Sequence, residues 1–177
     1  GLGVPAAVAA AMTKARSDGD IVSQSQILRE INAVKKPHVT YNSGDFEWYT
    51  PLEYIAAARE VMGSIDLDPD SSESANKTIQ ASKFFTAEDD GLAQDWYGNI
   101  WLNPPYSSCL IGLFVDKLLA SNFAQAIVLV NNSTDTSWFL KLARASAAIV
   151  FSTGRVKFLS PVGDSGYPLQ GQAFLYL

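Results

Sequence analysis

The spacing of apolar positions changes along the chain, and each change marks an element. Pro5 to Arg16 is alanine-rich and predicts a helix, with Pro5 suited to its first turn. Ser17-Asp18-Gly19-Asp20 interrupts it. Asp20 can cap a second helix from Ile21 to about Val34, whose apolar set is Ile21, Ile27, Leu28 and Ile31. Pro37 to Phe46 reads as a polar linker. Beyond it, short apolar runs alternate with helical spacing. Pro51 to Met62 predicts a helix ended by Gly63, and Ser64 to Leu67 a short buried strand. Ser74 to Ser82 predicts one or two helical turns, Lys83 to Thr86 a strand, Asn99 to Leu102 another. Leu110 to Leu119 is amphipathic. Ala124 to Val130 is almost continuously apolar, as in the middle of a parallel sheet. Ser137 to Arg144 predicts a helix, and Ala147 to Phe151, Val156 to Leu159 and Ala173 to Leu177 predict strands.

The alternation implies an α/β sheet with helices on both faces over residues 46–177, preceded by a helical appendage and linker over 1–45. In such sheets ligands bind outside the carboxyl ends of the strands. Composition narrows the chemistry. The 177 residues are 47% hydrophobic and 18% charged, which suits one soluble domain. A chain of this size buries roughly two-thirds of its unfolded surface, so no covalent staple is needed. The one cysteine, Cys109, excludes an internal disulfide. With one histidine, His38, and no cluster at metal-ligand spacing, neither zinc nor Ser-His-Asp chemistry finds support, and no metal is expected. A net charge of −5 argues against a large basic footprint, but leaves room for a local basic face. No apolar run approaches the roughly 20 residues of a membrane span. The chain opens at Gly1 rather than Met, so upstream sequence can be missing. No basic segment precedes the alanine-rich start, and no signal peptide is expected.

The most specific chemistry follows the strand ending at Leu102. Asn103-Pro104-Pro105-Tyr106 resembles the Asn-Pro-Pro-Tyr motif of amino-group methyltransferases. An exocyclic amine on a purine is a poor nucleophile because its lone pair is delocalised. Two acceptors on its N–H groups favour a pyramidal nitrogen, and an asparagine oxygen and a backbone carbonyl are such acceptors. The resemblance implies that Asn103 Oδ1 and the Pro104 carbonyl accept from the target amine. Pro105 stiffens the turn, and Tyr106 stacks on a base flipped out of the duplex.

Upstream, Asp66-Leu67-Asp68-Pro69 ends a predicted strand and runs into small residues and Asn76. Glu47-Trp48-Tyr49-Thr50-Pro51 precedes it, and Glu88-Asp89-Asp90-Gly91-Leu92 follows. The order Thr-Pro, Asp-Leu-Asp-Pro, Asp-Gly-Leu, Asn-Pro-Pro-Tyr resembles the phage-type DNA N6-adenine methyltransferases, over about two-thirds of the chain. The resemblance implies a Rossmann-like class I methyltransferase sheet with an antiparallel strand near the C-terminus, S-adenosyl-L-methionine as cofactor and DNA as partner. It also implies a bacterial cytoplasm, in a phage or prophage setting. Its cofactor residues are Trp48, Thr50, Pro51, Asp66, Asp68, Pro69, Asn76 and Asp90, with Asp90 on the cofactor's adenine amine. A carboxylate at Asp68 can pair with the cofactor's cationic amino group. Ser72 and Ser74 stand where glycine is usual, although glycine more readily takes positive φ. The same segments also read as a capped strand-to-helix turn, a helix N-cap at Thr50 and a solvated acidic turn. Trp96 recurs in the family pattern and reads as packing.

Downstream, Asn131 to Phe139 is a polar loop leading into a helix, where Thr134 and Asp135 can meet the base or its phosphate. A Thr136 or Ser137 cap accounts for the loop equally. Arg155 and Lys157 alternate along a strand and so share a face that can meet a phosphate, or simply form an exposed basic edge. The stretch Ser160 to Gln172 is short for a recognition loop, and no separate target-recognition domain is visible. N4-methylation of cytosine, N5-methylation of protein glutamine, and an inactive module that binds DNA or a partner remain as alternatives.

Overall fold

A computed structural model describes residues 49–106, 110–159, 165–166 and 170–177, which belong to the compact unit Gly44–Leu177. The helices expected before residue 45, the domain boundary there, Trp48 and most of the 160–172 stretch lie outside the described residues. The elements run α1 (Leu52–Met62), β1 (Leu67–Asp68), α2 (Glu73–Ile79), β2 (Lys83–Phe84), a single 3-10 turn (Gly91–Ala93), β3 (Asn99–Leu102), α3 (Ile111–Ala120), β4 (Gln125–Asn131), α4 (Ser137–Ala145), β5 (Ala148–Phe151), β6 (Phe158–Leu159), β7 (Ser165–Gly166) and β8 (Gln172–Tyr176).

Six of the strands form one sheet in the order β2-β1-β3-β4-β8-β5. The first four are mutually parallel, with Leu67 beside Ile100 and Leu102 beside Val128. The reversed strand β8 lies between β4 and β5 and pairs antiparallel with both. The expected α/β sheet with a late antiparallel strand is therefore present.

The apolar runs of β3 and β4 arise because both faces of the sheet are covered. Ile100, Leu102, Ala126, Val128 and Val130 face one way, onto Phe114, Val115 and Leu118 of α3 and Phe139 and Leu142 of α4. Trp101, Ile127 and Leu129 face the other way, onto Ile55, Ala58 and Met62 of α1 and Ile79 of α2. Arg59 of α1 reaches across to donate to the carbonyl of Ile79. Among the described residues no helix is long and apolar enough to cross a membrane.

Two local expectations change. α1 begins at Leu52 with Pro51 in the N-cap position and no side-chain capping bond, so Thr50 does not cap it. Proline fixes φ near the value a helix entry needs, and the Pro51 carbonyl takes the first bond from Tyr54 N–H at 3.1 Å. The strand expected over Val156 to Leu159 is confined to Phe158–Leu159, which pairs with β7 in a separate ribbon, so Arg155 and Lys157 precede it outside any strand.

A polar knot closes the amino ends of β1 and β3. Asp66 Oδ2 accepts from Asn99 N–H at 2.9 Å, and its Oδ1 accepts from the Ser64 hydroxyl at 2.9 Å. Asn99 Nδ2 donates to the Met62 carbonyl at 3.0 Å. Gly98, at φ +69, turns the chain against this carboxylate, and a Cβ there would lie 2.5 Å from Asp66 Oδ2. Gly98→Ala is expected to combine the left-handed penalty of about 1–2 kcal/mol with about 1 kcal/mol per displaced hydrogen bond. A loss of about 2–3 kcal/mol in urea unfolding, with the slope unchanged, checks this.

Candidate functional site

Parallel pairing brings the carboxyl ends of β1, β3 and β4 to one edge of the sheet, and each carries a polar turn. Leu67 pairs with Ile100, so Asp68 stands level with Trp101, and Asn103 projects two residues further out on the neighbouring strand. Thr134 and Asp135 follow β4 on the other side and are exposed. Thr136 caps α4, accepting from Phe139 N–H at 3.4 Å and donating to the Ser133 carbonyl at 2.7 Å.

Asn103 is half-buried rather than sunk in the core. Its Oδ1 accepts from the Tyr106 hydroxyl at 3.0 Å, and the same hydroxyl lies 3.3 Å from the Leu129 carbonyl. An amide oxygen has two acceptor positions, so this bond fixes the side chain and leaves a second position open. Tyr106 is 41% exposed, although its hydroxyl is turned inward. Burial of that phenol raises its pKa. Pro104 is buried and Pro105 half-buried, which holds the turn between the two polar residues.

The turn after β1 is held by different means. Asp68 is 1% exposed, and its Oδ1 has no hydrogen-bond partner among the described residues. Ser71 Oγ, three residues on, is also buried without a partner. Burial pushes the Asp68 carboxyl up to about 8; the Ser71 hydroxyl, close by but outside hydrogen-bonding geometry, pulls it down, the Asp70 charge raises it again, and the Asp70 backbone N–H lowers it. Ser71 N–H donates to the Phe85 carbonyl at 2.8 Å and ties the turn to the end of β2. Ser72, one of the two serines in glycine positions, sits at φ −143 and ψ 166 and caps α2, accepting from Ala75 N–H at 3.1 Å. Among the described residues the only non-glycine positive-φ positions are Gln80 and Asp90, so this turn places no left-handed demand on either serine.

The remaining candidates divide. Pro69 is buried, and its carbonyl abuts Gly91, which brings Asp90 beside the Asp68 turn. Thr50 is 4% exposed; the adjacent Tyr49 pairs with Leu159 of β6 through bonds of 2.7 and 2.9 Å. Asp66 lies at the opposite end of the strand, engaged in the knot with Asn99. Asn76 is also engaged elsewhere, accepting from Ala81 N–H at 2.8 Å and donating to the Ala81 carbonyl at 3.3 Å. Arg155 and Lys157 are exposed, with Val156 buried between them and Phe158 buried after them at the start of β6.

One structural residue went unnoticed in the sequence. Gln172 is 2% exposed; its Oε1 accepts from Val156 N–H at 3.0 Å and its Nε2 donates to Asn131 Oδ1 at 3.2 Å. It joins the basic segment to the end of β4. The signal was a glutamine at the mouth of an apolar strand.

A mixed six-stranded sheet covered by helices, with these turns at one edge, is a methyltransferase-like α/β protein. A family model for DNA N-6-adenine-methyltransferase (Dam) matches residues 36–171, and the chain belongs to that family. It is 29% identical over 143 residues to a DNA N-6-adenine-methyltransferase of Escherichia phage T1, a match covering 70% of this chain and 57% of that protein. It is 30% identical over 119 residues to a protein of the same name from Haemophilus phage HP1, covering 64% of this chain and 66% of the relative. The chain thus spans less than two-thirds of the length of either relative.

The buried carboxyl has a measurable consequence. Asp68 holds its proton up to about 8 in the folded chain and only to about 3.8 when unfolded. Between those values the folded state binds the extra proton, so this contribution to stability is complete below 3.8 and is lost as pH rises through 8. Urea midpoints are expected to fall between pH 5 and pH 9, and Asp68→Asn to flatten that fall. Equal pH slopes in the two proteins would show that Asp68 is not neutral in the fold.

Proposed function

We propose that this chain transfers a methyl group from S-adenosyl-L-methionine to N6 of an adenine flipped out of DNA. The observation that carries the reading is Asn103 Oδ1 at the tip of β3, fixed by the Tyr106 hydroxyl and one strand away from the buried Asp68. We read the sheet as a Rossmann-like class I methyltransferase sheet, its reversed β8 set between β4 and β5.

The residues present fit the cofactor. Asp68 Oδ1 and Ser71 Oγ are buried polar atoms without partners, and they suit a cationic amino group that brings donors. Asp90, on the adjoining loop, is exposed and makes no capping bond, so it suits an adenine amine. When bound, S-adenosyl-L-methionine supplies a methyl group on a positively charged sulfur. The chain's own contribution is placement. Asn103 Oδ1 and the Pro104 carbonyl accept from the target amine and localise its lone pair, while the exposed face of Tyr106 stacks on the base. Thr134 and Asp135 border that pocket from β4, and Arg155 and Lys157 face a phosphate.

Labelled cofactor incubated with unmethylated DNA, followed by mass spectrometry of the digested nucleosides, tests the reading. N6-methyladenine is expected. N4-methylcytosine, or label on glutamine of a protein extract, would replace this reading by another. Asn103→Ala is expected to lower kcat by roughly a hundredfold or more, as for loss of a preorganised polar group, with cofactor binding retained.

Cofactor binding should also release protons. Asp68 is mostly neutral at pH 7, and a cation beside it favours the ionised form. Calorimetry at pH 7 in buffers of different ionisation enthalpy is expected to show close to one proton released, with affinity tightening as pH rises toward 8.

A further inference from the structure

Asp90 and Gly91 are held in a way that their sequence does not require. Asp90 sits at φ 50 and ψ 80, a left-handed conformation that is costly for a residue with a Cβ. Its carboxylate does not cap the 3-10 turn that follows, so local capping does not repay the strain. Gly91 is buried, and a Cβ there would lie 2.0 Å from the Pro69 carbonyl oxygen. The two loops therefore meet backbone to backbone, at a separation only glycine permits.

One side chain fixes that contact from below. The Trp96 indole N–H donates to the Gly91 carbonyl at 2.7 Å in a buried setting. Trp96 is 4% exposed, and its ring lies 5.8 Å from that of Phe114 on α3. The indole is thus anchored in the core while its one polar atom holds the loop. Gln94 supports the same turn from outside, its side-chain N–H donating to the Asp89 carbonyl at 2.8 Å. Packing alone would be served by phenylalanine. Among the described residues the N–H is used on Gly91 alone.

We propose that Trp96 is a positioning residue for the cofactor: through Gly91 it sets the separation between the Asp68–Ser71 turn and Asp90, so that one molecule of S-adenosyl-L-methionine reaches both. The inference rests on the functional reading above and adds to it the residue that fixes the span. A ligand gripped at two ends is sensitive to the distance between the grips. Loss of the indole N–H loosens that distance and leaves Asn103, Tyr106 and the DNA side unchanged.

The test is Trp96→Phe in the full chain. Calorimetric titration of the DNA-free protein with S-adenosyl-L-methionine is expected to give a Kd raised about tenfold at unchanged stoichiometry. At saturating cofactor, kcat and the KM for DNA are expected to stay within about twofold. The urea midpoint of Trp96→Phe identifies a folding failure, and Gln94→Ala, which removes the outer tie to the Asp89 carbonyl and leaves Trp96 in place, is expected to raise the Kd in the same direction with kcat unchanged. A Kd unchanged in Trp96→Phe would overturn the inference. So would a fall in binding stoichiometry and kcat together with an unchanged Kd, since that is what a purely structural tryptophan gives. If the wild-type chain bound no S-adenosyl-L-methionine, the functional reading would fall and this inference with it. Wild-type binding with an indifferent Trp96→Phe would remove this inference alone.

Discussion

The constraint on which the rest depends is the parallel register of β1, β3 and β4. Parallel strands leave by the same edge, so whatever follows each of them is brought together without a long-range contact being specified. Leu67 opposite Ile100, and Leu102 opposite Val128, put Asp68, Asn103 and the Thr134–Asp135 loop on neighbouring strand ends. A slip of one residue would turn Trp101 and Ile127 onto the face of α3 and α4, and Ile100 and Val128 onto that of α1 and α2. Because both faces are filled, the cores fix the register, and the register aligns the turns.

Polar groups at the two ends of these strands are treated in opposite ways. At the amino end every group in the Asp66–Asn99–Ser64 knot finds a partner, and the knot fastens β1 to β3. At the carboxyl end Asp68 and Ser71 are buried with unpartnered atoms. Leaving such groups unsatisfied costs free energy that a purely structural turn would avoid by using apolar residues. The contrast separates two aspartates that are two residues apart: Asp66 is bonded into the fold, and Asp68 keeps an oxygen without a partner among the described residues. It also accounts for the serine at position 72. The turn is built from extended backbone and a helix cap, so it needs a hydroxyl where a tighter turn would need glycine.

The sheet was legible in the sequence because its strands are short, apolar and separated by helical spacing. Most elements were readable to within a residue or two, and Asn99–Leu102 coincides with its expected bounds. The Asn103 turn was legible as well, since its four residues carry their chemistry in their identities. The directions of side chains were not. Asp66 and Asn76 looked as much like ligand residues as Asp68, and both are engaged in local hydrogen bonds that depend on partners many residues away or on the exit angle of a helix. Ser71 carried no signal, and Gly91 only as the middle of Asp-Gly-Leu, because their importance lies in what they touch. Val156 to Leu159 was read as one strand because alternation reports which side is buried; only Phe158–Leu159 is strand, and alternation does not say which sheet it joins.

The ribbon bears on how an acidic chain can meet an acidic polymer. A net charge of −5 opposes DNA over the whole surface, so any contact has to be local and well placed. Arg155 and Lys157 stand outward because Val156 and Phe158 are buried in the same core as α1. Two further ties hold the segment. Gln172 binds the Val156 amide and Asn131 at the end of β4, and Leu159 pairs with Tyr49, the residue before Thr50. The cations, the β4 edge and the entry to α1 are thus linked by three short connections. On the function proposed above, a phosphate held by Arg155 or Lys157 would act on a segment tied to the end of β4 and to the entry of α1, so few charges are needed to bring DNA into register with Asn103.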